Sequence, residues 1–344
     1  MKFRRMIRAV PLLFVACYVS LAHGEIAYVS NEDGHTVSVI DFDKGTAIAT
    51  VEVGKRPRGL KLSHDGSKLY VAVSGTPKCP PSVPDEECEK LKRDLEADGI
   101  AVVDTRSHKV LGVLAAGSDP EQFDLTADGT KLFVANEDEA KASVVDVQSG
   151  KVLAQIPVGR EPEGVGIDPS GKWVLVTNEA DNSVSIIDAA RQAVVRSIVV
   201  GKRPRSVAFT SDGKYAYVTG EFDASLYRIR IPEGDPVERV AQFDAKARPM
   251  TVLLDESRKR LYVSTGRGGT VAILEPTGGG ETARLVKEIP VGTRPWGMAL
   301  SSDGRRLYTA NGPSNDVTVI DTQSLQVLKK IPVGKSPWGI DIAR

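Results

Sequence analysis

The strings VGKRPRG (residues 53–59), AGSDPEQ (116–122), VGREPEG (158–164), VGKRPRS (200–206), VGTRPWG (291–297) and VGKSPWG (333–339) share one frame. A degraded copy, AKARPMT, occupies residues 245–251. Their prolines are Pro57, Pro120, Pro162, Pro204, Pro249, Pro295 and Pro337, spaced 63, 42, 42, 45, 46 and 42 residues apart. A fixed period of this length marks a repeat architecture, in which each unit buries its apolar faces against its neighbours.

The order within each unit is constant. A short apolar strand follows the proline, as in GLKLS or GVGID, and a turn comes next, most often Asp-Gly. A strand of β-branched and aromatic residues (LYVAV, LFVAN, WVLVTN, YAYVTG, LYVST, LYTAN) precedes a third that reads VSVID or close to it. A fourth leads back to the next VG turn. Four short strands per 42-residue unit, joined by turn residues, predict a β-propeller. After Pro337 only WGIDIAR remains, while IAYVSN, VSVIDF and IATVEV near residue 25 supply three further strands. The fold class expected is therefore all-β. It is a single seven-bladed β-propeller over residues 25–344, with four antiparallel strands per blade and the last blade closed by both termini. Such a ring leaves no open sheet edge at its seam.

Residues 1–24 read as an address. Lys2, Arg4, Arg5 and Arg8 precede a 14-residue apolar run, AVPLLFVACYVSLA, and Ala22 and Gly24 stand at −3 and −1 of a cut before Glu25. This is the three-part pattern of a secretory signal peptide. Phe14 fits the −3 position of a lipoprotein box poorly, so lipidation at Cys17 is not expected. No run reaches 18 apolar residues, which argues against a multispanning membrane protein. The expected location is a periplasm, with no membrane span after cleavage. Loss of the leader removes four basic residues and no acidic ones, leaving a net charge of about −4. That balance points away from nucleic acid. Cys79 and Cys88 remain, and an oxidising compartment predicts a disulfide between them. They lie in an insertion at 75–98 of the first blade, whose charged stretch ECEKLKRDLEADG predicts one short helix. A loop of this length is read as a lid, a docking arm or a passive surface loop.

Strand order places the VGxxPx turns on one face of the disc, with NEDGH, NEDEAK, NEADN, GEFDA, GRGG and NGPSND. The residues after the prolines (Arg58, Glu121, Glu163, Arg205, Met250, Trp296, Trp338) are expected near the central channel. Those before them add Arg56, Asp119, Glu161, Arg203, Arg248, Arg294 and Ser336. The ligand- or partner-binding mouth expected from this set comprises Arg56, Arg58, Glu121, Glu163, Arg203, Arg205, Arg248, Arg294, Trp296 and Trp338. Guanidinium forks suit carboxylates, and indoles suit rings or cations. The competing reading is that Arg–Glu pairs across blades merely close the ring and that the tryptophans plug it.

Taken together, GKRPRGLKLSHDG, DPEQFDL, IPVGREPEGVGI, NGPSNDVTVID and VGKSPWGI resemble the YVTN family of propeller repeats. They are most similar to a subgroup associated with catabolism dependent on pyrroloquinoline quinone. The likeness runs over the whole of residues 25–344, and the 75–98 insertion departs from it. The resemblance implies an exported propeller that accompanies quinoprotein alcohol oxidation, and the function expected is a non-catalytic accessory that holds a protein partner or an anionic small ligand at the channel mouth. Its partner would be the quinoprotein dehydrogenase or a c-type cytochrome. No cofactor is assigned, and a monomer is expected.

Other chemistries find little support in the residues. There is no C-x-x-C-H for haem attachment, and with four histidines, His23 among them in the leader, no zinc or haem ligand set is expected. No G-x-S-x-G elbow is present. A carboxylate-rich cation site around Glu121, Glu161 and Glu163 is a weaker possibility, and no metal is assigned. The alternative function is a lactonase-like hydrolase or a lyase, with Glu121, Glu163 or His35 as general acid or base. A third reading is a structural repeat without a site.

Overall fold

The computed structural model describes residues 25–78, Glu87 and 90–343. The leader, Cys17 and the Cys79–Cys88 pairing lie outside the described residues. Blade 7 is made from both ends of the chain: β1 (Ile26–Asn31), β2 (Thr36–Asp41) and β3 (Thr46–Glu52) join β28 (Pro337–Ile342) in the order β28-β1-β2-β3. Blade 1 is β4 (Leu60–Leu62), β5 (Lys68–Val73), β6 (Gly99–Asp104) and β7 (Lys109–Leu114). Blade 2 is β8 (Pro120–Leu125), β9 (Lys131–Asn136), β10 (Lys141–Asp146) and β11 (Val152–Pro157). Blade 3 is β12 (Pro162–Ile167), β13 (Trp173–Asn178), β14 (Ser183–Asp188) and β15 (Ala193–Val199). Blade 4 is β16 (Pro204–Phe209), β17 (Tyr215–Gly220), β18 (Ser225–Arg230) and β19 (Val237–Gln242). Blade 5 is β20 (Pro249–Asp255), β21 (Arg260–Thr265), β22 (Thr270–Thr277) and β23 (Thr282–Pro290). Blade 6 is β24 (Pro295–Leu300), β25 (Arg306–Asn311), β26 (Asp316–Asp321) and β27 (Gln326–Pro332). Each sheet is a four-stranded antiparallel meander, and the first strand of each borders the central channel.

The packing explains why the second and third strands read as nearly unbroken apolar runs. Alternate residues of a strand face opposite sides of its sheet, and here both sides are buried. Ala27 and Val29 of β1 pack on Tyr308, Ala310, Val317 and Val319 of blade 6. Tyr28, between them, packs on Leu69, Val71 and Val103 of blade 1. Seven such clusters occur among the described residues, one at each blade junction. The seam is closed by backbone hydrogen bonding in the register Ala27↔Ile342 and Val29↔Ile340.

The repeat's last glycine has a steric cause. A Cβ at Gly164 would stand 2.0 Å from the carbonyl oxygen of Arg205 in the next blade, and one at Gly59 would stand 2.6 Å from that of Glu121. Inner strands of adjacent blades approach too closely there for any side chain.

The helix expected in the charged stretch of the insertion does not run through its second half. Residues 90–94 are turn, bend and irregular chain, and a single 3-10 turn, Leu95–Ala97, follows. Glu87, at the start of that stretch, is helical, and residues 88 and 89 lie outside the described residues. No helix among the described residues is long and apolar enough to cross a membrane.

Candidate functional site

The repeat builds the mouth by two backbone devices. First, every residue before a repeat proline has a left-handed backbone: Arg56 (φ 42°), Asp119 (51°), Glu161 (51°), Arg203 (55°), Arg248 (55°), Arg294 (53°) and Ser336 (53°). Non-glycine residues are uncommon in this region, and such strain concentrates at sites the surrounding fold over-determines. Second, the inner strand pairs at its proline, as in Pro162↔Asn178, and resumes one residue out of step at Val165↔Val176. The same shift follows Pro120, Pro204, Pro249, Pro295 and Pro337. A bulge re-aims its side chains, and this one turns the residue after the proline to the channel.

The mouth is a cavity of about 820 Å³. Nine of the ten expected mouth residues line it: Arg56, Arg58, Glu121, Glu163, Arg203, Arg205, Arg294, Trp296 and Trp338. Arg248 does not. Its guanidinium lies 4.2 Å from the centre of the exposed Phe222 ring, and Arg203 lies 5.2 Å from the same ring. Of the candidate acids and bases, Glu121 and Glu163 reach the cavity and His35 does not. The His35 Nδ1 accepts a hydrogen bond from the Arg56 backbone N–H at 3.1 Å, which assigns the ring to turn geometry. Met250 lines a smaller void of about 10 Å³ that shares Glu163, Arg205, Trp296 and Trp338 with the cavity. That is room for about one water, so the channel narrows below the mouth. Described parts of the insertion border the cavity through Thr76, Pro77, Lys78 and Arg93. Lys78 bridges to Glu32 of blade 7 at 2.8 Å, and Arg93 to Asp138 of blade 2 at 2.7 Å.

A second set of acids was not singled out from the sequence. Glu32, Glu137, Glu179 and Glu221 each follow the second strand of a blade. Their backbone N–H groups donate to the carbonyls of Ser336, Asp119, Glu161 and Arg203, the left-handed residues before the prolines. The tie brings both positions to the mouth. The available signal was the equivalent place of Glu in NEDGH, NEDEAK, NEADN and GEFDA.

Most of these charges cancel in pairs. Arg58, whose side chain is 2% exposed, is ion-paired with Asp119 and Glu121. Its Nη1 also lies 3.6 Å from Glu137. Arg205 binds Glu163, Glu179 and, at 2.8 Å, Glu221. Arg203 binds Glu179 at 2.5 Å. Arg56 binds Glu32 at 3.1 Å.

The ionisation of the carboxyls divides accordingly. Burial raises the Glu32 and Asp119 carboxyls, but Arg56 with Lys78 at the first and Arg58 at the second outweigh it and hold both below the usual range. Glu137 is pushed up, by its depth in the mouth and then by the charge of Asp119. A third of its side chain is open to the cavity, so it is deep without being sealed. Glu179 is pushed well above the carboxylate range. Both its oxygens are within ion-pair distance of arginines yet lack an aligned donor, and its burial with Glu137, Glu221 and Glu161 nearby prevails. Asp119, Glu121 and Glu137 hold oxygens within 4.8 Å of one another, but Arg58 already supplies the positive charge of that cluster. The opposite wall is aromatic: Trp296 and Trp338 stack at 5.0 Å and 30°. Arg205 and Arg294 lie over the Trp296 ring at 5.3 and 5.2 Å.

A family described as "Lactonase, 7-bladed beta-propeller" matches residues 190–334, less than half of the chain. No curated protein matches. Several solved structures are similar in fold. Hydrazine synthase of Kuenenia stuttgartiensis shares 24% identity, with 86% of this chain and 92% of that one covered at a TM-score of 0.72. A putative 6-phosphogluconolactonase of Bacteroides fragilis NCTC 9343 shares 18%, with 94% and 99% covered at 0.75. A protein of unknown function from Desulfotomaculum acetoxidans DSM 771 shares 16%, with 93% and 99% covered at 0.75. At these identities the likeness is one of fold, which does not fix function.

Proposed function

We propose that the mouth cavity is the active site of a lactonase-like hydrolase acting on a compact polar lactone. The observation that carries this reading is Glu137, a carboxyl open to the cavity with its ionisation pushed upward, 3.6 Å from the Arg58 guanidinium. A carboxyl raised above its ordinary value is better suited to take up and return a proton. As a carboxylate it takes a proton from water as the water oxygen bonds to the lactone carbonyl carbon. The ring C–O bond then breaks, and the carboxyl returns the proton to the ring oxygen, giving a hydroxy acid. Arg58 supplies positive charge for the developing oxyanion. The partial match to the lactonase propeller family supports the assignment. Glu121 and Glu163, the acids named from sequence, are engaged by Arg58 and Arg205 and serve to hold those arginines. The test is a pH-indicator assay on residues 25–344 with a panel of aldonolactones. Glu137→Gln should lower turnover by about 10²–10⁴-fold, the usual worth of a general base. Undiminished turnover in that variant would refute the role of Glu137, and a panel with no turnover in the parent protein would refute the reading.

A second reading is favoured by the pairing of the mouth charges, which leaves few groups free for chemistry. Here the chain is an exported, periplasmic accessory of quinoprotein alcohol oxidation, as the YVTN resemblance implies. It docks a dehydrogenase or cytochrome on the mouth face, where Phe222 is 52% exposed between Arg203 and Arg248. Crosslinking in periplasm with a photoreactive residue at position 222 tests it, and the absence of a specific adduct refutes it.

A further inference from the structure

Seven cationic side chains line the mouth cavity, and six are ion-paired: Arg56, Arg58, Lys78, Arg93, Arg203 and Arg205. The seventh, Arg294, has no carboxylate within ion-pair distance among the described residues and rests instead over the Trp296 ring. The acids show the same pattern. Among the eight that line the cavity, Glu161 has no cation within ion-pair distance among the described residues. Among the described residues that line the cavity, one unpaired charge of each sign therefore remains. The two occupy the same position of the repeat, immediately before the proline, with φ of 51° and 53°. Glu161 is on blade 3 and Arg294 on blade 6, on opposite sides of a seven-bladed ring.

From this we infer that the cavity binds a compact zwitterion, its ammonium at Glu161 and its carboxylate at Arg294, with the apolar part of the ligand against Trp296 and Trp338. The chemistry of each end follows from the walls. Glu161 lies beside Glu179, which its charge reaches, and Glu163 stands two residues on, while the arginines near those acids are already committed to carboxylates. That wall accepts hydrogen bonds and favours an ammonium. Arg294 presents a planar fork of donors with no acceptor, and such a fork pairs with a carboxylate in two parallel bonds. Burial and the nearby charge of Arg205 disfavour the Arg294 cation, so an incoming carboxylate relieves a cost already present in the empty cavity. The indole pair beside it offers a flat surface for a methylene chain or ring. A cavity of about 820 Å³ suits a small molecule rather than a protein segment.

This assignment concerns binding and holds whether or not the bound molecule is hydrolysed. It is tested by calorimetric titration of residues 25–344 with the amino acids glycine, β-alanine, γ-aminobutyrate, 5-aminovalerate and 6-aminohexanoate. The carboxylic acids and alkylamines of matching length are the controls. One member of the series should bind at least about tenfold more tightly than both its controls, the smallest gain expected of a charge-assisted hydrogen bond. The optimal length reports the span between the two charges. Glu161→Gln should erase the advantage over the plain acid, and Arg294→Met the advantage over the plain amine. Neither side chain belongs to the ion-pair network, so both variants should melt with the parent protein, and the melting curve is the folding control. If no zwitterion outbinds its controls, or if the preference survives both substitutions, the inference is wrong. Lactone turnover is scored separately. Hydrolysis without zwitterion preference would overturn this inference alone, and zwitterion preference without hydrolysis would overturn only the enzymatic reading.

Discussion

Methionine at position 58 keeps the length and apolar stem of the arginine and deletes its charge. In the parent protein that charge is buried, 2% exposed, between Asp119 and Glu121, whose side chains are 4% and 8% exposed. Arg58→Met therefore leaves two buried carboxylates without their main counter-charge. Breaking a buried pair in this way costs about 3–5 kcal/mol. With an unfolding entropy of about 2.1 cal/mol/K per residue, a ring of this size should melt about 4–7 °C lower. The deficit should depend on pH with a definite sign. Arg58 holds the Asp119 carboxyl below its ordinary value, so the pair's contribution is full above that value and is lost as pH falls through the folded one. The difference between parent and variant should therefore be largest near neutrality and shrink below about pH 4. Adding Asp119→Asn and Glu121→Gln to Arg58→Met neutralises the stranded carboxylates and should recover at least half of the loss. Scanning calorimetry at neutral and acidic pH reads all of this. A shift under about 2 °C at neutral pH, or an equal deficit at both pH values, would show that the buried triad does not hold the ring as argued.

Two further outcomes follow from local geometry. Gly164→Ala places a methyl 2.0 Å from the Arg205 carbonyl and should cost about 2–3 kcal/mol by denaturant titration, whereas Gly171→Ala, with open space around it but φ at 73°, should cost about 1 kcal/mol. Asp65 is held down to about 2 by the Ser63 hydroxyl and the Ser67 amide and hydroxyl, so its contribution to stability is present above the ordinary value of 3.8 and lost between 3.8 and about 2. Carbon-detected NMR titration should show that midpoint, and Ser63→Ala with Ser67→Ala should return it toward 3.8.

The fold was legible because a propeller is a one-dimensional code. Each blade repeats the same turn and strand order, most with the same glycine, and the spacing of Pro57 through Pro337 states the number of blades and that both termini close the ring. The residues after the prolines were legible for the same reason: the bulge that aims Glu163 aims Arg205 and Trp296 as well. Less legible were Glu32, Glu137, Glu179 and Glu221, which reach the mouth through a backbone tie between two different loops of one blade. His35 and Arg248 belong to mouth turns, yet the cavity excludes both, one by a hydrogen bond to the Arg56 amide and the other by stacking on Phe222.

The sequence by itself determined the ring, its seam, the mouth face and the identity of the side chains arrayed there, because all of these follow from the order of residues within a repeat. Only the tertiary structure decided which charges cancel. Arg58 meets Asp119 and Glu121 from more than 60 residues away, and Arg205 gathers Glu163, Glu179 and Glu221 from two blades. Ion pairing depends on separations of a few ångströms between neighbouring blades and on the burial that strengthens it. The period of the sequence fixes which blades are neighbours, and the packed ring alone fixes those distances, leaving Glu161 and Arg294, among the described residues that line the cavity, without an ion-pair partner.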